Sequence, residues 1–154
     1  SDGILDWQAG RGVVVHSAAI AFTGDFLELQ HRIWREHARV LLPALDRMRL
    51  DVCRYLDHSF PQWRGYCESR AEGYLSHDHL PAGEWEPVAE FTCILEFLNT
   101  RERHDSAWRT FTDLIYSARD ARNRLAHYTP LSRDQFITIL QHIRQLRILM
   151  GSLP

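Results

Sequence analysis

The sequence lacks lysine, a C-x-x-C motif and any long uninterrupted apolar run. All 18 basic residues are arginine, which GC-rich codon usage explains. The three cysteines, Cys53, Cys67 and Cys93, are odd in number and far apart, so they predict buried thiols in a reducing compartment rather than a disulfide framework or a zinc ribbon. The longest apolar run, 13–22, is interrupted by two polar residues and falls short of the roughly 18 residues that span a bilayer. We therefore expect a cytoplasmic protein that does not bind a membrane.

The chain also has no initiator Met and no signal peptide at its start. Ser1 is followed by a polar Asp-Gly pair instead of a charged segment and an apolar one. We expect it to be one module of a longer protein, whose other domains are then candidate partners.

The charge is distributed unevenly along the 154 residues, a length that suits a single domain. The net charge of −2 argues against a strongly basic nucleic-acid binder. However, residues 1–100 carry nine Arg and fifteen acidic residues, whereas residues 101–154 carry nine Arg and five acidic residues, a net charge of +4. An anionic partner should therefore bind the C-terminal third of the chain.

Apolar residues recur at helical spacing from Asp25 onward and predict two helices in the first part of the chain. Asp25 is the expected N-cap of the first. Pro43 either kinks this helix or begins the second, which stops before Phe60. Residues 60–84 are rich in glycine and proline and are expected to form a long connection. The apolar positions assigned to the two helices are Phe26, Leu29, Ile33, Ala38, Val40, Leu41, Leu45, Met48, Val52, Tyr55 and Leu56.

Three further helices are expected in the second part of the chain. The third begins at Pro87 and the fourth at Asp105 or Ser106. The fourth ends near Tyr128, because Pro130 disfavours helix at the residue before it. The apolar arc of the fourth helix comprises Trp108, Phe111, Leu114, Ile115, Ala118, Ala121 and Leu125.

The fifth helix opens with a capping box of Ser132 and Gln135 and stops at Gly151. Its apolar stripe comprises Phe136, Ile139, Leu140, Ile143, Leu146 and Met150. The sequence thus predicts an all-α, up-and-down bundle of about five helices over residues 25–154. Residues 1–24 are assigned to an N-terminal extension or linker, in which 13–15 is readable as a short strand or 13–22 as a short helix. The tryptophans Trp34, Trp63, Trp85 and Trp108 are expected to belong to the core rather than to stack on bases.

The segment 118–127, which reads ARDARNRLAH, is the most informative part of the chain. An arginine five residues before a histidine is common by chance. It occurs here as Arg11/His16, Arg32/His37 and Arg122/His127. Only the third pair has Asn directly after the Arg, lies on a predicted helix and precedes a proline that ends this helix. We therefore assign the first two pairs a structural role and treat the third as the candidate site.

Arg122, Asn123 and His127, followed by Pro130, resemble the signature of HEPN domains, in which an Arg and a His are separated by a short gap and an Asn commonly follows the Arg. The order of elements over residues 25–150 is also similar. The resemblance implies a bundle that dimerises through the motif helices and cleaves RNA without a metal, often as a toxin or antiviral effector of bacteria. Some members of the family have lost catalysis and serve as binding modules.

The residue types fit RNA cleavage without a metal or other cofactor. Histidine exchanges protons near neutral pH, and a guanidinium binds two phosphate oxygens and stabilises their growing charge. Arg122, Asn123 and His127 are therefore the candidate catalytic residues, with Asn123 orienting the histidine or holding the substrate. Arg119 and Arg124 are expected to bind RNA beside them.

A polar seam on the fourth helix predicts a homodimer. Tyr116, Asp120, Asn123 and His127 follow a 4-3-4 spacing opposite the apolar arc, which suits contact between helices. Arg122 lies about 140° from His127 around the helix, so one helix does not aim both side chains at one phosphate. Two copies of the helix that meet at a two-fold axis can direct the Arg122 of one copy and the His127 of the other at the same phosphate, with Tyr116 and Asp120 in the interface.

The alternative is that the motif has only a structural role. Arg122 would pair with a nearby acid, and His127 would end a helix whose dipole favours a positive charge there. The chain would then be a catalytically silent HEPN module that binds nucleotide or protein within a larger regulatory protein, or a structural dimerisation domain. Asp120 and Arg124, four residues apart, are expected to form a weak surface ion pair.

A metal site is not expected. His77, Asp78 and His79 lie close together in the long connection, and Cys67 or His104 could join them. Zinc normally needs four ligands at ordered spacing, and no such set is present in the sequence. We therefore expect these histidines to be solvated loop residues.

Overall fold

The computed structural model describes residues 4–8, 11–15, 17–70, 89–101 and 106–151. Within these ranges, a short antiparallel hairpin is followed by six helices. In chain order the elements are β1 (Ile4–Gln8), β2 (Arg11–Val15), α1 (Ser17–Thr23), α2 (Phe26–Ser59), α3 (Trp63–Arg70), α4 (Phe91–Asn99), α5 (Ser106–Ala126) and α6 (Arg133–Met150). The predicted all-α helical bundle is confirmed, and the hairpin is an addition to it. None of the helices in the described ranges is long and apolar enough to cross a membrane.

The start of the chain contains both of the elements that the sequence left open. β1 and β2 pair in antiparallel register, with Ile4 opposite Val15. The segment 13–15 is therefore a strand, and the helix that follows it begins only at Ser17. α1 packs against α2 across a turn at Gly24, whose φ of 78° is a conformation that glycine adopts without a steric penalty.

One long helix replaces the two helices expected between Asp25 and Phe60. Asp25 is the N-cap, as predicted, and its carboxylate accepts a hydrogen bond from the Glu28 N–H at 3.1 Å. Pro43 lies inside the helix on its exposed side. Proline removes one backbone hydrogen bond, but buried apolar side chains on both sides of it keep α2 continuous. Those side chains belong to Leu41, Leu45 and Met48.

The expectation of a plain connection over residues 60–84 is wrong for its first part, because α3 spans Trp63–Arg70. Asp57 in the last turn of α2 holds this helix. It accepts a hydrogen bond from the Trp63 indole N–H at 2.7 Å and forms an ion pair with Arg64. The Arg64 guanidinium holds the pKa of the Asp57 carboxyl below its usual range, and the Trp63 hydrogen bond adds to this effect. The remainder of the expected connection lies outside the described residues.

The helices from α4 onward alternate in direction. Glu90, before α4, lies beside Arg122 near the end of α5, and Asn99 at the end of α4 bonds to Tyr116. α5 and α6 are also antiparallel, and Ser117 bonds to the His142 ring at 2.9 Å. α2 runs antiparallel to α5 and parallel to α4. α3, between α2 and α4 in the chain, runs antiparallel to α4. Helices α2 to α6 therefore alternate in direction around one core, as in an up-and-down bundle.

The core contains all seven apolar residues predicted on α5, which confirms that stripe. On α6, Ile139, Ile143 and Leu146 are buried as predicted, whereas Leu140 is 41% exposed. Trp63 and Trp108 are buried and Trp34 is partly buried, while Trp85 lies outside the described residues. The largest fully buried side chains are Trp63, Phe97, Phe111, Leu41, Leu45, Met48, Leu56, Ile94, Leu95, Leu98, Ile115 and Leu125.

Three apolar residues in the first half of α2 are exposed although the sequence assigned them to its core stripe. Phe26 is 71%, Ile33 41% and Val40 50% exposed. Their spacing of seven keeps them on one side of the helix, about 100° from the side that carries Leu41. α5 and α6 cover only that other side, so the assignment of these three residues to the core is wrong.

Candidate functional site

The motif lies where α5 ends, and a specific turn fixes that end. The Tyr128 N–H donates to the Leu125 carbonyl at 3.3 Å, and the Thr129 N–H donates to the Arg124 carbonyl at 2.9 Å. Tyr128 has a φ of 57°. This pair of bonds around a left-handed residue is the Schellman motif that ends many helices. The expected end near Tyr128 is confirmed, and His127 is the residue between the helix and the turn.

An aromatic contact anchors this turn to α2. Tyr128 is a bulky residue in a conformation that usually belongs to glycine, and this conformation is strained. Its ring packs on Trp34 with the ring centroids 4.6 Å apart. The Trp34 indole N–H also donates to the Leu125 carbonyl at 2.7 Å. These contacts offset the strain and fix the backbone from which the His127 side chain projects.

His127 is exposed. Its backbone N–H donates to the Asn123 carbonyl at 3.0 Å, and its carbonyl accepts from the Thr129 hydroxyl at 3.3 Å. Within the described part of the chain its imidazole has no hydrogen bond and no ion pair. Both ring nitrogens are therefore open to a ligand.

Arg122 and Asn123 form a second polar group one turn earlier. The Arg122 Nη1 donates to the Asn123 Oδ1 at 3.4 Å. The Arg122 Nη2 lies 4.0 Å from the Glu90 Oε2, and both of these side chains are nearly half exposed. An exposed ion pair at this distance contributes little free energy, so the guanidinium can exchange its partner for a phosphate.

Two shallow cavities flank Arg122. The first has a volume of about 270 Å³ and is lined by Glu90, Phe91, Thr92, Arg119, Arg122 and Asn123. The second has a volume of about 180 Å³ and is lined by Leu42, Asp46, Arg49, Glu90, Phe91 and Arg122. His127 lines neither cavity. Within one chain, the structure therefore brings Arg122 together with Asn123 and Arg119 and leaves His127 apart, as the angle around the helix indicates.

The two predicted interface residues, Tyr116 and Asp120, both contact Arg119. The Arg119 Nη2 donates to the Asp120 Oδ1 at 3.0 Å, and the Arg119 guanidinium lies 5.0 Å from the centroid of the Tyr116 ring. The Tyr116 hydroxyl also accepts a hydrogen bond from Asn99 at 2.7 Å. Tyr116 is half-buried, whereas Asp120 and Asn123 are exposed like His127.

The expected ion pair between Asp120 and Arg124 is wrong. Asp120 pairs with its neighbour Arg119. Arg124 instead donates to the Pro130 carbonyl at 3.3 Å, across the turn that ends α5. The exposed carbonyl of the turn competes for the guanidinium, because an i,i+4 pair on a helix surface is worth only a few tenths of a kcal/mol.

The pair Arg32/His37 has a structural role, as the sequence indicated. Arg32 is buried and pairs with Glu28 at 2.6 Å. The His37 ring stacks on Phe136 with centroids 4.7 Å apart, and burial lowers the pKa of this histidine. The side chains of Arg11 and His16 lie outside the described residues.

The ranges that the structure describes contain no group of three or more His, Cys, Asp or Glu side chains able to hold a metal ion. His77, Asp78, His79 and His104, which the sequence weighed as ligands, lie outside these ranges.

Glu90 is the site residue that the sequence reasoning missed. It is the N-cap residue of α4, but its side chain makes no capping hydrogen bond. The carboxylate lies beside Arg122 instead. A sequence separation of 32 residues and the absence of any motif around Glu90 left no signal for this contact.

Comparisons with protein-family models, with curated proteins and with solved structures find no match to this chain. The fold and the site define an all-α bundle that presents an arginine, an asparagine and a histidine at the exposed end of one helix. The likeness to HEPN domains rests on this motif and stays a prediction.

Proposed function

We propose that this chain is a metal-independent endoribonuclease of the HEPN type that acts as a homodimer, as the effector module of a toxin or antiviral defence protein. The exposed end of α5 supports this proposal best. It presents the His127 imidazole, which has no hydrogen-bond or ion-pair partner in the described structure. About one turn earlier on the helix, the Arg122 guanidinium makes only a weak ion pair and a long hydrogen bond.

Each motif residue has a chemical role in the proposed reaction. The His127 imidazole takes the proton of a ribose 2′-hydroxyl or gives one to the leaving 5′-oxygen. The 2′-oxygen forms a bond to phosphorus and the bond from phosphorus to the 5′-oxygen breaks, which leaves a 2′,3′-cyclic phosphate and a 5′-hydroxyl. The Arg122 guanidinium binds the non-bridging oxygens as their charge grows, and Asn123 holds that guanidinium in place.

A second copy of the chain completes the proposed site. Arg122 and His127 diverge by about 140° around α5, and His127 lies outside both cavities beside Arg122. At a two-fold axis, the His127 of one protomer approaches the Arg122 of the other. Tyr116 and Asp120 would then lie in the interface. Arg119 and Arg124 would form the cationic edge that receives the RNA backbone.

Cleavage of a labelled RNA by purified variants tests the proposal. His127→Ala and Arg122→Ala should each lower the rate at least a hundredfold, because proton transfer or phosphate stabilisation is lost. His58→Ala, an exposed histidine in the last turn of α2, and Arg109→Ala, an exposed arginine on α5, are matched controls that should cleave normally. Equal rates in all four folded variants would identify a contaminating nuclease instead.

The proposed mechanism also predicts the metal dependence of cleavage and the chemical ends of the products. Cleavage should continue in EDTA and yield 2′,3′-cyclic phosphate ends, because no step is assigned to a metal. Loss of cleavage on chelation, with recovery on adding a divalent ion, would contradict the proposed mechanism.

One observation favours a catalytically silent HEPN module as the second candidate. The Glu90 carboxylate lies 4.0 Å from the Arg122 guanidinium and competes with any phosphate for it. A silent module would bind a nucleotide or a protein partner without cleaving RNA, and binding would be insensitive to His127→Ala.

A further inference from the structure

We propose that Cys67 and Cys93 are a site of oxidative modification, at which an intrachain disulfide covalently joins α3 to α4. The Cys67 and Cys93 thiols share a hydrogen bond, and their two Sγ atoms lie 2.7 Å apart. Both side chains are buried and both cysteines are reduced in this structure. The proposal does not depend on the proposed ribonuclease activity.

The packing between α3 and α4 brings the two sulfurs together. Trp63 and Tyr66 of α3 both pack on Phe97 of α4, with ring centroids 6.3 and 5.5 Å apart. A disulfide requires two side chains that already point at each other, because its bond angles and dihedral are restricted. Here the required approach exists before any bond forms.

The third cysteine is engaged elsewhere. The Cys53 thiol is directed at the Ala89 carbonyl oxygen, at 4.0 Å. The geometry therefore selects Cys67 and Cys93 from the three possible pairs.

The reaction requires an oxidant, for which a small disulfide such as oxidised glutathione is sufficient. One protein thiol loses its proton, and its sulfur attacks the S–S bond of the oxidant, which forms a mixed disulfide and releases one reduced thiol. The second protein sulfur then loses its proton and displaces the other thiol. Two protein thiols are thereby oxidised to one disulfide, and the oxidant is reduced to two thiols.

Burial makes the first step slow in the closed protein. The hydrogen bond shared with Cys93, which favours the neutral Cys67 thiol, and then burial raise the pKa of Cys67 well above its usual range. Attack therefore needs a transient opening of α3, which is a helix of only eight residues. Once α3 closes, the second step is fast because the two sulfurs are adjacent.

The crosslink would act close to the candidate site. Cys93 lies in the first turn of α4, and Glu90, Phe91 and Thr92 before it line the cavity beside Arg122. The two cysteines are 26 positions apart, so the bond would close a loop of that length in the chain. Such a loop closure should raise the melting temperature by roughly 5–10 °C.

Thiol counting by mass spectrometry on the 154-residue chain tests the proposal. The reduced protein is incubated with oxidised glutathione, with and without urea just below its unfolding transition, and is then denatured and treated with N-ethylmaleimide. The crosslinked protein should be two hydrogens lighter and bind one maleimide, whereas the reduced protein binds three. Peptide mapping should give a Cys67–Cys93 crosslink.

Two variants make the result specific. Cys53→Ser should still form the crosslink and then bind no maleimide, whereas Cys93→Ser should form none. Stable glutathione adducts on Cys67 and Cys93 without a crosslink, a crosslink to Cys53, or three free thiols even with urea would each overturn the proposal. A crosslinked protein that melts below the reduced one would also contradict it, since the native positions of the sulfurs would then not accommodate the bond.

Discussion

Tyr128 holds the end of α5 in a backbone conformation that bulky residues seldom adopt. The molecule retains it because the ring packs on Trp34, which also caps the Leu125 carbonyl. A helix end that frays would release His127, whereas this one fixes its backbone. Trp34 and Tyr128 are therefore positioning residues for the proposed site.

Replacing Trp34 tests this role. Trp34→Phe keeps a ring against Tyr128 but loses the hydrogen bond to Leu125, and it should lower the free energy of unfolding by about 1 kcal/mol. Trp34→Ala loses both contacts and should lower it by about 3 kcal/mol. Urea denaturation measures both values. Equal effects of the two variants would show that the ring contact contributes nothing.

Glu90 should weaken the binding of RNA to Arg122, because its carboxylate competes with phosphate. Glu90→Gln should lower the dissociation constant for RNA by roughly two- to fivefold, as expected for the loss of an exposed ion pair. Fluorescence anisotropy on a His127→Ala background measures binding without cleavage. Asp113→Asn, an exposed acid more than two turns away on α5, is the control and should have a smaller effect. Weaker binding by Glu90→Gln would instead make the carboxylate part of the binding site.

α3 is held to α2 by a single charged group, the Asp57 carboxylate. Asp57 lowers the free energy of the folded state through Arg64 and Trp63, and its pKa is lowered by them. A carboxyl whose folded pKa is lowered stabilises the fold above its usual pKa. That contribution is lost as the pH falls from the usual value towards the lowered one.

Asp57→Asn should therefore cost about 1 kcal/mol of unfolding free energy near neutral pH, and less in acid. Urea midpoints of wild type and variant, measured at neutral pH and again below the usual pKa of the carboxyl, give the comparison. Asp46→Asn, which removes an exposed partner of Arg49 on the same helix, is the control. A cost that stays constant with pH would assign the effect to packing rather than to charge.

The elements differ in how far the sequence predicted them. α5 was predictable because its seven apolar residues all face one core and because Pro130 disfavours helix just beyond its end. α6 was predictable from the capping box of Ser132 and Gln135, which forms with both hydrogen bonds. α3 was not predictable, since its stability comes from Asp57 in the preceding helix and from Phe97, which is distant in sequence. Pro43 was misleading because the buried apolar side chains before and after it stabilise α2 by more than the proline destabilises it.

The candidate site was predictable only in part, because local spacing encodes some of its residues and packing between helices determines the others. Arg122, Asn123 and His127 share one helix end, so their spacing carries the information. Glu90 and the cavities beside Arg122 depend on how α4 packs against α5, which no local pattern encodes.

Assembly of two copies gives the proposed site its complete set of side chains. Tyr116→Glu should place a charge in the interface that burial would desolvate, and give a folded monomer of 18.1 kDa without nuclease activity. The control is Ile33→Glu, on the exposed apolar side of α2, which should remain a dimer. Light scattering at micromolar concentration distinguishes them. Dissociation by Ile33→Glu alone would move the interface to α2 and leave the motif outside it.

Mixing two inactive variants tests the composite site most directly. His127→Ala retains Arg122, and Arg122→Ala retains His127, so a mixed dimer would contain one complete site, formed by the arginine of one protomer and the histidine of the other. After random exchange of subunits, half of the dimers are mixed, and cleavage should recover to about a quarter of the wild-type rate. If the mixed dimers form, as native mass spectrometry would show, and the rate stays at that of the separate variants, the composite site is contradicted.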